Sequence, residues 1–192
     1  MAWLGMLTVF FTIISAVLIY PGQNLHDVSH QLWKHRNLGK AFYENQTTYL
    51  EAVEQFRSAL ELAPDSSSER LNYGLALVKA GQIDQGITEL ERVQSEAPTI
   101  PHTWFNLGLL YKKLAQYDRA RDQFEHMTQL VPDEPIAHYN LGILFRLSGN
   151  HEKSLNHFET ATQLDPTLAG PHFQLYTAYR MRGEMEKATK EL

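Results

Sequence analysis

Four prolines recur along the chain at a fixed interval of 34 residues. They are Pro64, Pro98, Pro132 and Pro166. Upstream of each lies an Asn-x-Gly triplet, and the triplets are Asn37-Leu38-Gly39, Asn72-Tyr73-Gly74, Asn106-Leu107-Gly108 and Asn140-Leu141-Gly142. The last three triplets keep the interval of 34, whereas the first interval is 35. We therefore expect one extra residue in the first repeat, within the turn at 44–48, where insertions cost little. No single compact fold requires such self-similarity, so the chain is predicted to be an array of structural repeats.

Within each period the apolar residues have helical spacing. Phe124, Met127 and Leu130 lie on one helix face, and the polar break at 115–118 separates two stretches of about 14 residues. Three further places recur and are filled by Phe42, Leu77, Tyr111, Phe145 and Tyr179, by Ala52, Gly86, Ala120, Ser154 and Ala188, and by Phe56, Leu90, Phe124, Phe158 and Leu192. Each period is predicted to be a helical hairpin. The small residue of the second helix lets the first helix approach, and the aromatic residue three after glycine fills the space between them.

One period matches a known repeat at nearly every characteristic place. It carries Trp104, Leu107-Gly108, Tyr111, Ala120, Phe124, Met127 and Pro132. In these residues the chain resembles the tetratricopeptide repeat (TPR) family over about residues 32–192. The resemblance implies an all-α fold, a right-handed α-solenoid of helix-turn-helix repeats whose concave face is lined by the first helix of each hairpin. We expect repeats at 32–66, 67–100, 101–134 and 135–168, with a partial repeat at 169–192. Two departures are His138 at the Trp place and Tyr176 at the Gly place, where Tyr176 is expected to crowd its helix pair.

The chain begins with an uncharged apolar segment, residues 2–20. As a helix it would span about 28 Å, close to the roughly 30 Å of bilayer hydrocarbon. Trp3 and Tyr20 lie near its ends, and Pro21-Gly22 follows. A cleaved export signal is disfavoured because the segment is long, no Lys or Arg precedes it and no small-x-small site follows. We expect a single transmembrane helix, with an anchor at 1–22 and a juxtamembrane extension at 23–31.

The side of the membrane is weakly determined. Every Lys, Arg, Asp and Glu lies after residue 26, and Lys34, Arg36 and Lys40 follow the anchor at a distance. The positive-inside rule slightly favours a cytoplasmic array, although large domains are translocated despite such a bias. Arrays of this bacterial appearance can precede exported domains. The expectation is a single-pass protein of the bacterial inner membrane with its repeats facing the periplasm.

Polar amides recur on the expected concave face. They are Asn37, Asn72, Asn106 and Asn140, with Gln174 at the equivalent place of the fifth repeat. A primary amide both donates to and accepts from a peptide bond, so this ladder could hold an extended partner. In superhelical members of the resembled family such side chains grip bound peptides. The alternative is that Asn is simply common at this place.

An apolar stripe flanks the ladder and consists of Leu71, Leu75, Phe105, Leu109, Tyr139, Ile143 and Phe173. It indicates a partner helix or extended segment, unless packing between neighbouring first helices accounts for it.

A row of cations follows at Lys112, Arg146 and Arg180, again 34 residues apart. The row could take an acidic segment or a C-terminal carboxylate. The alternative is a solvated row or salt bridges to neighbouring acids. The carboxylate clamp of the resembled family is only partly matched by Arg36, Lys40, Asn37 and Asn72, which disfavours a cochaperone.

Nothing in the sequence indicates catalysis, a metal or a cofactor. The absence of Cys excludes disulfides and thiolate chemistry. His26 and His30 lie four apart but have no third ligand in a metal-binding arrangement. The net charge of -5 and the scattered basic residues argue against nucleic acid.

The sequence therefore predicts a non-enzymatic, membrane-anchored adaptor that binds a protein partner in its concave groove and contacts lipid through residues 2–20. A first alternative is an accessory or assembly subunit of a larger membrane complex, respiratory or photosynthetic. A second is the regulatory N-terminal region of a longer exported protein or enzyme, because Leu192 occupies the Phe124 place partway through a helix.

Overall fold

The computed structural model describes residues 25–192, a succession of helices. In chain order they are α1 (Leu25–Tyr43), α2 (Tyr49–Leu62), α3 (Ser67–Lys79), α4 (Ile83–Glu96), α5 (Pro101–Lys113), α6 (Tyr117–Leu130), α7 (Pro135–Leu147), α8 (His151–Leu164), α9 (Ala169–Met181) and α10 (Met185–Lys190). Odd-numbered helices are the first helices of the hairpins and even-numbered helices are the second. A 3₁₀ turn at Gln46–Thr48 occupies the place predicted for the extra residue. No strand occurs within 25–192, which confirms the all-α class.

The predicted anchor, residues 1–22, lies outside the described residues. Among the helices that are described, none is long and apolar enough to cross a membrane. Residues 25–31 of the predicted juxtamembrane extension belong to α1 and continue into the first repeat helix.

The chain divides into two compact units within α4, between Gly86 and Ile87. The N-terminal unit contains α1 to α3 and the first turn of α4, and the C-terminal unit contains the rest. The helices α3, α5, α7 and α9 begin where the repeat pattern places the repeat starts. The sequence did not predict a division inside the second hairpin.

A glycine in the first helix makes room for a phenylalanine ring of the second helix. A Cβ atom on Gly108 would lie 2.9 Å from the Phe124 ring, and one on Gly142 would lie 2.5 Å from the Phe158 ring. Both rings are fully buried. Real Cβ atoms do not approach this closely, so glycine is required by space in these helices.

The small residue of the second helix lies against the same part of the first helix. The Ser154 hydroxyl donates to the carbonyl of Gly142 at 2.8 Å, and a Cβ on Gly86 would lie 2.9 Å from the Gly74 carbonyl oxygen. The helices therefore approach closely at both glycines, as the alternation of large and small residues predicted.

The aromatic residue three after glycine reaches further than predicted. The Tyr111 hydroxyl donates to Glu91 of α4 at 2.6 Å, and the Tyr179 hydroxyl donates to Glu159 of α8 at 2.5 Å. Burial and these carboxylates raise the pKa of both tyrosines. The Arg119 guanidinium lies 4.0 Å from the Tyr111 ring centre. The prediction that this side chain fills only its own hairpin was too narrow, because it also joins the hairpin to the preceding second helix.

A hydrogen bond from the Trp place to the preceding proline carbonyl recurs in four hairpins. The pairs are Arg70 to Pro64 at 2.9 Å, Trp104 to Pro98 at 2.7 Å, His138 to Pro132 at 2.9 Å and His172 to Pro166 at 3.1 Å. Since a carbonyl only accepts, each histidine donates through Nε2. His138 therefore makes the same bond as Trp104, and the apparent departure in the fourth repeat preserves the contact.

The fifth hairpin packs differently. Tyr176 occupies the Gly place, so the first helix has no recess for a ring there. Tyr176 packs beside the cluster that contains Leu175, and Leu192 at the Phe place is largely exposed. This pairing of a large residue with an unpacked partner agrees with the expected crowding.

A histidine pair lies beside the fourth Trp place. His138 Nδ1 and His157 Nδ1 are 3.1 Å apart, and the His157 ring stacks on Phe145 at 5.3 Å. Because His138 Nε2 carries its proton toward Pro132, neutral His138 accepts at Nδ1 from His157. Burial, His138 and Lys153 together lower the pKa of His157 to about 4.

The glycine and the ring should be energetically coupled. Phe124→Ala is expected to lower the free energy of unfolding by about 3–5 kcal/mol through a cavity. Gly108→Ala should cost about 1–3 kcal/mol by overpacking. In the Phe124→Ala background the same Gly108→Ala change should be neutral or stabilising, because the ring is gone and Ala favours helix.

Urea unfolding of the two single variants and the double variant measures this cycle, with the exposed Gln129→Ala as control. Additive single and double effects would show that the two residues do not contact each other.

Acid should destabilise the fold through His157. Its pKa is about 4 when folded and about 6.5 when unfolded. Between these values the unfolded chain binds more protons, so this contribution is complete above about pH 6.5 and is lost as the pH falls towards 4. Urea titrations from pH 7.5 to about pH 4.5 should therefore show a smaller pH slope for His157→Asn than for wild type. The matched His102→Asn, at an exposed site, should leave the slope closer to that of wild type. Equal slopes for His157→Asn and wild type would contradict the assignment.

Candidate partner-binding surface

The first helices of the C-terminal unit lie side by side. The Lys112 ammonium of α5 contacts Asn140 Oδ1 of α7. A Cβ on Gly170 of α9 would lie 2.8 Å from the Tyr139 ring of α7. We call the shared face of α5, α7 and α9 the first-helix surface.

The amides of the ladder are placed unequally on this surface. The Asn106 side chain donates to the His102 carbonyl at 2.7 Å and stays accessible. Asn140 is only 2% exposed; it donates to the Ile136 carbonyl at 2.7 Å and accepts from Lys112. Its hydrogen-bonding capacity is therefore largely used inside the protein. Gln174 is half-buried.

In the N-terminal unit, Asn37 is exposed and Asn72 is half-buried. Arg36 donates to the buried Glu69 through Nε at 2.8 Å, so this guanidinium already has a carboxylate partner. Together with the exposed Lys40, these residues were the partial match to a carboxylate clamp. The ion pair removes the arginine from that set.

Most of the apolar stripe takes part in packing. Phe105 meets Phe124 edge-on at 5.9 Å, and Tyr139 lies 6.0 Å from Phe158. Ile143 packs beside the cluster of Leu155 and Leu175, and the half-buried members are Leu71, Leu75 and Leu109. Phe173 differs, with 64% of its surface exposed.

The cation row has one internal and two accessible members. Lys112 is half-buried against Asn140, and burial lowers its pKa. Arg146 and Arg180 are exposed, and Arg180 contacts only the Tyr176 hydroxyl, at 3.5 Å. Neither arginine forms an ion pair with an acidic residue within the described part of the chain. These two guanidinium groups are available to a ligand.

Three exposed apolar side chains of this surface were missed in the sequence. They are Ile136, Leu147 and Met181, and the last two are 49% and 84% exposed. Ile136 lies four residues before Asn140, and Leu147 lies four after Ile143, which places them on the same helix face. Extending the helical spacing by one turn in each direction would have found them.

The structure places no metal cluster in the region it describes. No group of three or more His, Asp or Glu side chains within 25–192 could hold an ion. His26 and His30 are exposed on α1, and the His30 ring stacks on Trp33 at 6.2 Å.

Family comparison agrees with the repeat geometry. Sequence models of the tetratricopeptide repeat match residues 36–101, 101–133 and 135–168, so together they cover most of the described chain. The chain belongs to the tetratricopeptide repeat family. Such repeats present binding surfaces for other proteins, so the chain is a protein-interaction scaffold and its partner is a protein.

Solved structures share this fold. MamA (41-end) from Desulfovibrio magneticus RS-1 is 19% identical, with a TM-score of 0.73, and the match covers 84% of this chain and 90% of that one. A structure titled MamA AMB-1 is 23% identical, with a TM-score of 0.71 and coverage of 88% and 89%. A third, MamA MSR-1, is 24% identical, with a TM-score of 0.66 and coverage of 83% and 91%. No curated protein sequence gives a significant match. At these identities the structures show a common fold.

The two central amides should respond differently to truncation. Asn140→Ala removes the acceptor of the half-buried Lys112 ammonium and is expected to lower the free energy of unfolding by about 1–3 kcal/mol. The matched Asn106→Ala, at the equivalent place of the preceding repeat, should cost about 0.5 kcal/mol or less.

Thermal or urea unfolding with Asn140→Ala, Asn106→Ala and Asn140→Ala/Lys112→Met tests this. The double variant should recover part of the loss, because the unpaired ammonium is removed. Equal losses at both asparagines would contradict the structural role of Asn140.

Proposed function

We propose that the protein is a membrane-anchored adaptor that holds a partner protein on the first-helix surface. The observation that carries the proposal is the exposure of Leu147, Met181, Arg146 and Arg180 on helices whose other faces form the core. Apolar and cationic side chains left uncovered together are typical of a protein-binding surface. Asn106, Gln174 and the accessible edge of the apolar stripe extend the proposed contact area.

The anchor supports location at a bilayer. Residues 2–20 carry no charge and match the bilayer thickness, with Trp3 and Tyr20 near the ends. We propose a single-pass protein of the bacterial inner membrane with its repeats on the periplasmic side. The adaptor is proposed to be non-catalytic, since its exposed surface carries binding groups and lacks an arrangement of acid, base and nucleophile.

A second candidate is an accessory subunit of a larger membrane complex, respiratory or photosynthetic. It is favoured by an open cavity of about 430 Å³ beside α9 and α10, where His172, Phe173, Tyr176 and Leu192 are among the lining residues. In the preceding hairpin the matching side of Tyr139 is covered by Gly170 of α9. A neighbouring subunit that supplied a similar helix would close this cavity.

Site-specific photo-crosslinking in intact membranes tests the adaptor. A photoreactive residue at Leu147 or Thr177, on the first-helix surface, should give one discrete protein adduct. The same residue at Gln129 or Gln163, exposed on α6 and α8, should give little of it. Equal adducts from all four positions, or adducts only from α6 and α8, would exclude the first-helix surface as the binding face.

The anchor is tested separately by carbonate extraction of membranes. The full chain should stay in the membrane pellet, whereas a chain that starts at residue 25 should be released. Release of the full chain would contradict the anchor and leave the partner assignment to the crosslinks.

A further inference from the structure

Charge is segregated between the two kinds of helix in the C-terminal unit. The first helices α5, α7 and α9 contain Lys112, Lys113, Arg146 and Arg180, and not one Asp or Glu. This is opposite in sign to the whole chain, whose net charge is -5. The first-helix surface is therefore locally positive.

The second helices carry the acids. In α6 and α8 these are Asp118, Asp122, Glu125, Glu152 and Glu159, against the bases Arg119, Arg121 and Lys153. Several of these charges are already paired within the protein. Arg119 reaches Glu91 at 2.5 Å, Arg121 reaches Asp118 at 3.0 Å, and Glu159 accepts from Tyr179. The positive charges on the first helices have no such acidic partners nearby in sequence.

The available charges sit among apolar side chains on one face. Arg146 follows Ile143 by three residues and precedes Leu147, and Arg180 follows Thr177 by three and precedes Met181. Residues three and four apart share a helix face. Each hairpin thus offers one guanidinium beside one exposed apolar side chain, and the pair repeats on the neighbouring first helix.

We infer that the partner contributes an acidic segment with interspersed apolar residues, bound in extended form across α7 and α9. The inference rests on the proposed function and names the chemistry of its partner. Arg146 and Arg180 bind carboxylates of the segment, while Leu147 and Met181 contact its apolar side chains.

The repeat spacing favours an internal acidic segment over a single chain terminus. Packed helices lie about 8–10 Å apart, and an extended chain advances about 3.3 Å per residue. Two guanidinium groups on neighbouring first helices therefore match two acidic residues about three positions apart. A single terminal carboxylate would satisfy only one of them, since Lys112 is occupied by Asn140.

Fluorescence anisotropy with the full 192-residue chain in nanodiscs of neutral phospholipid tests the inference. The probes are short labelled peptides with a C-terminal amide, in which every third residue is Glu and the others are Leu or Ser. Matched peptides carry Gln or Lys in place of Glu, and one Gln peptide has a free C-terminal carboxylate. The Glu peptide should bind about tenfold more tightly than the Gln peptide at low salt, and the difference should shrink as salt is added.

Charge reversal locates the site. Arg146→Glu/Arg180→Glu should remove the preference for the Glu peptide and allow the Lys peptide to bind. Arg57→Glu/Arg121→Glu makes the same change in net charge on the second helices α2 and α6, and should keep the preference within about twofold. Circular dichroism and urea unfolding establish that both double variants are folded.

Three results would overturn the inference. They are equal binding of the Glu and Gln peptides, equal loss in both double variants, and binding that requires the free carboxylate. The proposed function fails by a different measurement, because crosslinks from Leu147 and Thr177 to a partner without an acidic segment would leave the adaptor intact and exclude only this chemistry.

Discussion

The contact between a first-helix glycine and a second-helix phenylalanine ring is the constraint on which the rest of the structure depends. At Gly108 and Gly142 a Cβ would overlap the rings of Phe124 and Phe158, so the two helices of each hairpin can approach only because that atom is missing. The approach buries both rings. It also sets which side of each first helix faces inward, and the opposite side is left to solvent. Where Tyr176 replaces the glycine, the residue at the ring place, Leu192, stays exposed.

A fixed inner side frees the outer side for function. The bonds from the Trp place to the preceding proline, and from Tyr111 and Tyr179 to the preceding second helix, hold successive hairpins in register within the C-terminal unit. These contacts use aromatic, amide and carboxylate groups that face the core. The side chains of Arg146 and Arg180 take no part in them, so charge can collect there at little cost to folding. Binding chemistry and stability are thus carried by different faces of one helix.

Much of the fold could be predicted from the sequence because it depends on spacing. The interval of 34 residues, the recurrent glycine and the alternation of large and small residues determine helix pairs and their starts, and each is visible in a single chain. The binding surface was less predictable because it depends on which polar groups are already used. Asn106 and Asn140 occupy equivalent places, yet only Asn140 is buried against Lys112. Arg36 looked available until Glu69 was found beside it. Such pairings join residues about one repeat apart, and their distances depend on side-chain conformations that no period encodes.

The central claim is that the first-helix surface of the C-terminal unit is where the partner lies. A cryo-electron microscopy structure of the full chain purified from its native membrane with its crosslinked partner tests it most directly. The account predicts density of an extended segment across α7 and α9, with carboxylates within hydrogen-bonding distance of Arg146 and Arg180. A partner bound only to α6 and α8, with both arginines still facing solvent, would contradict it.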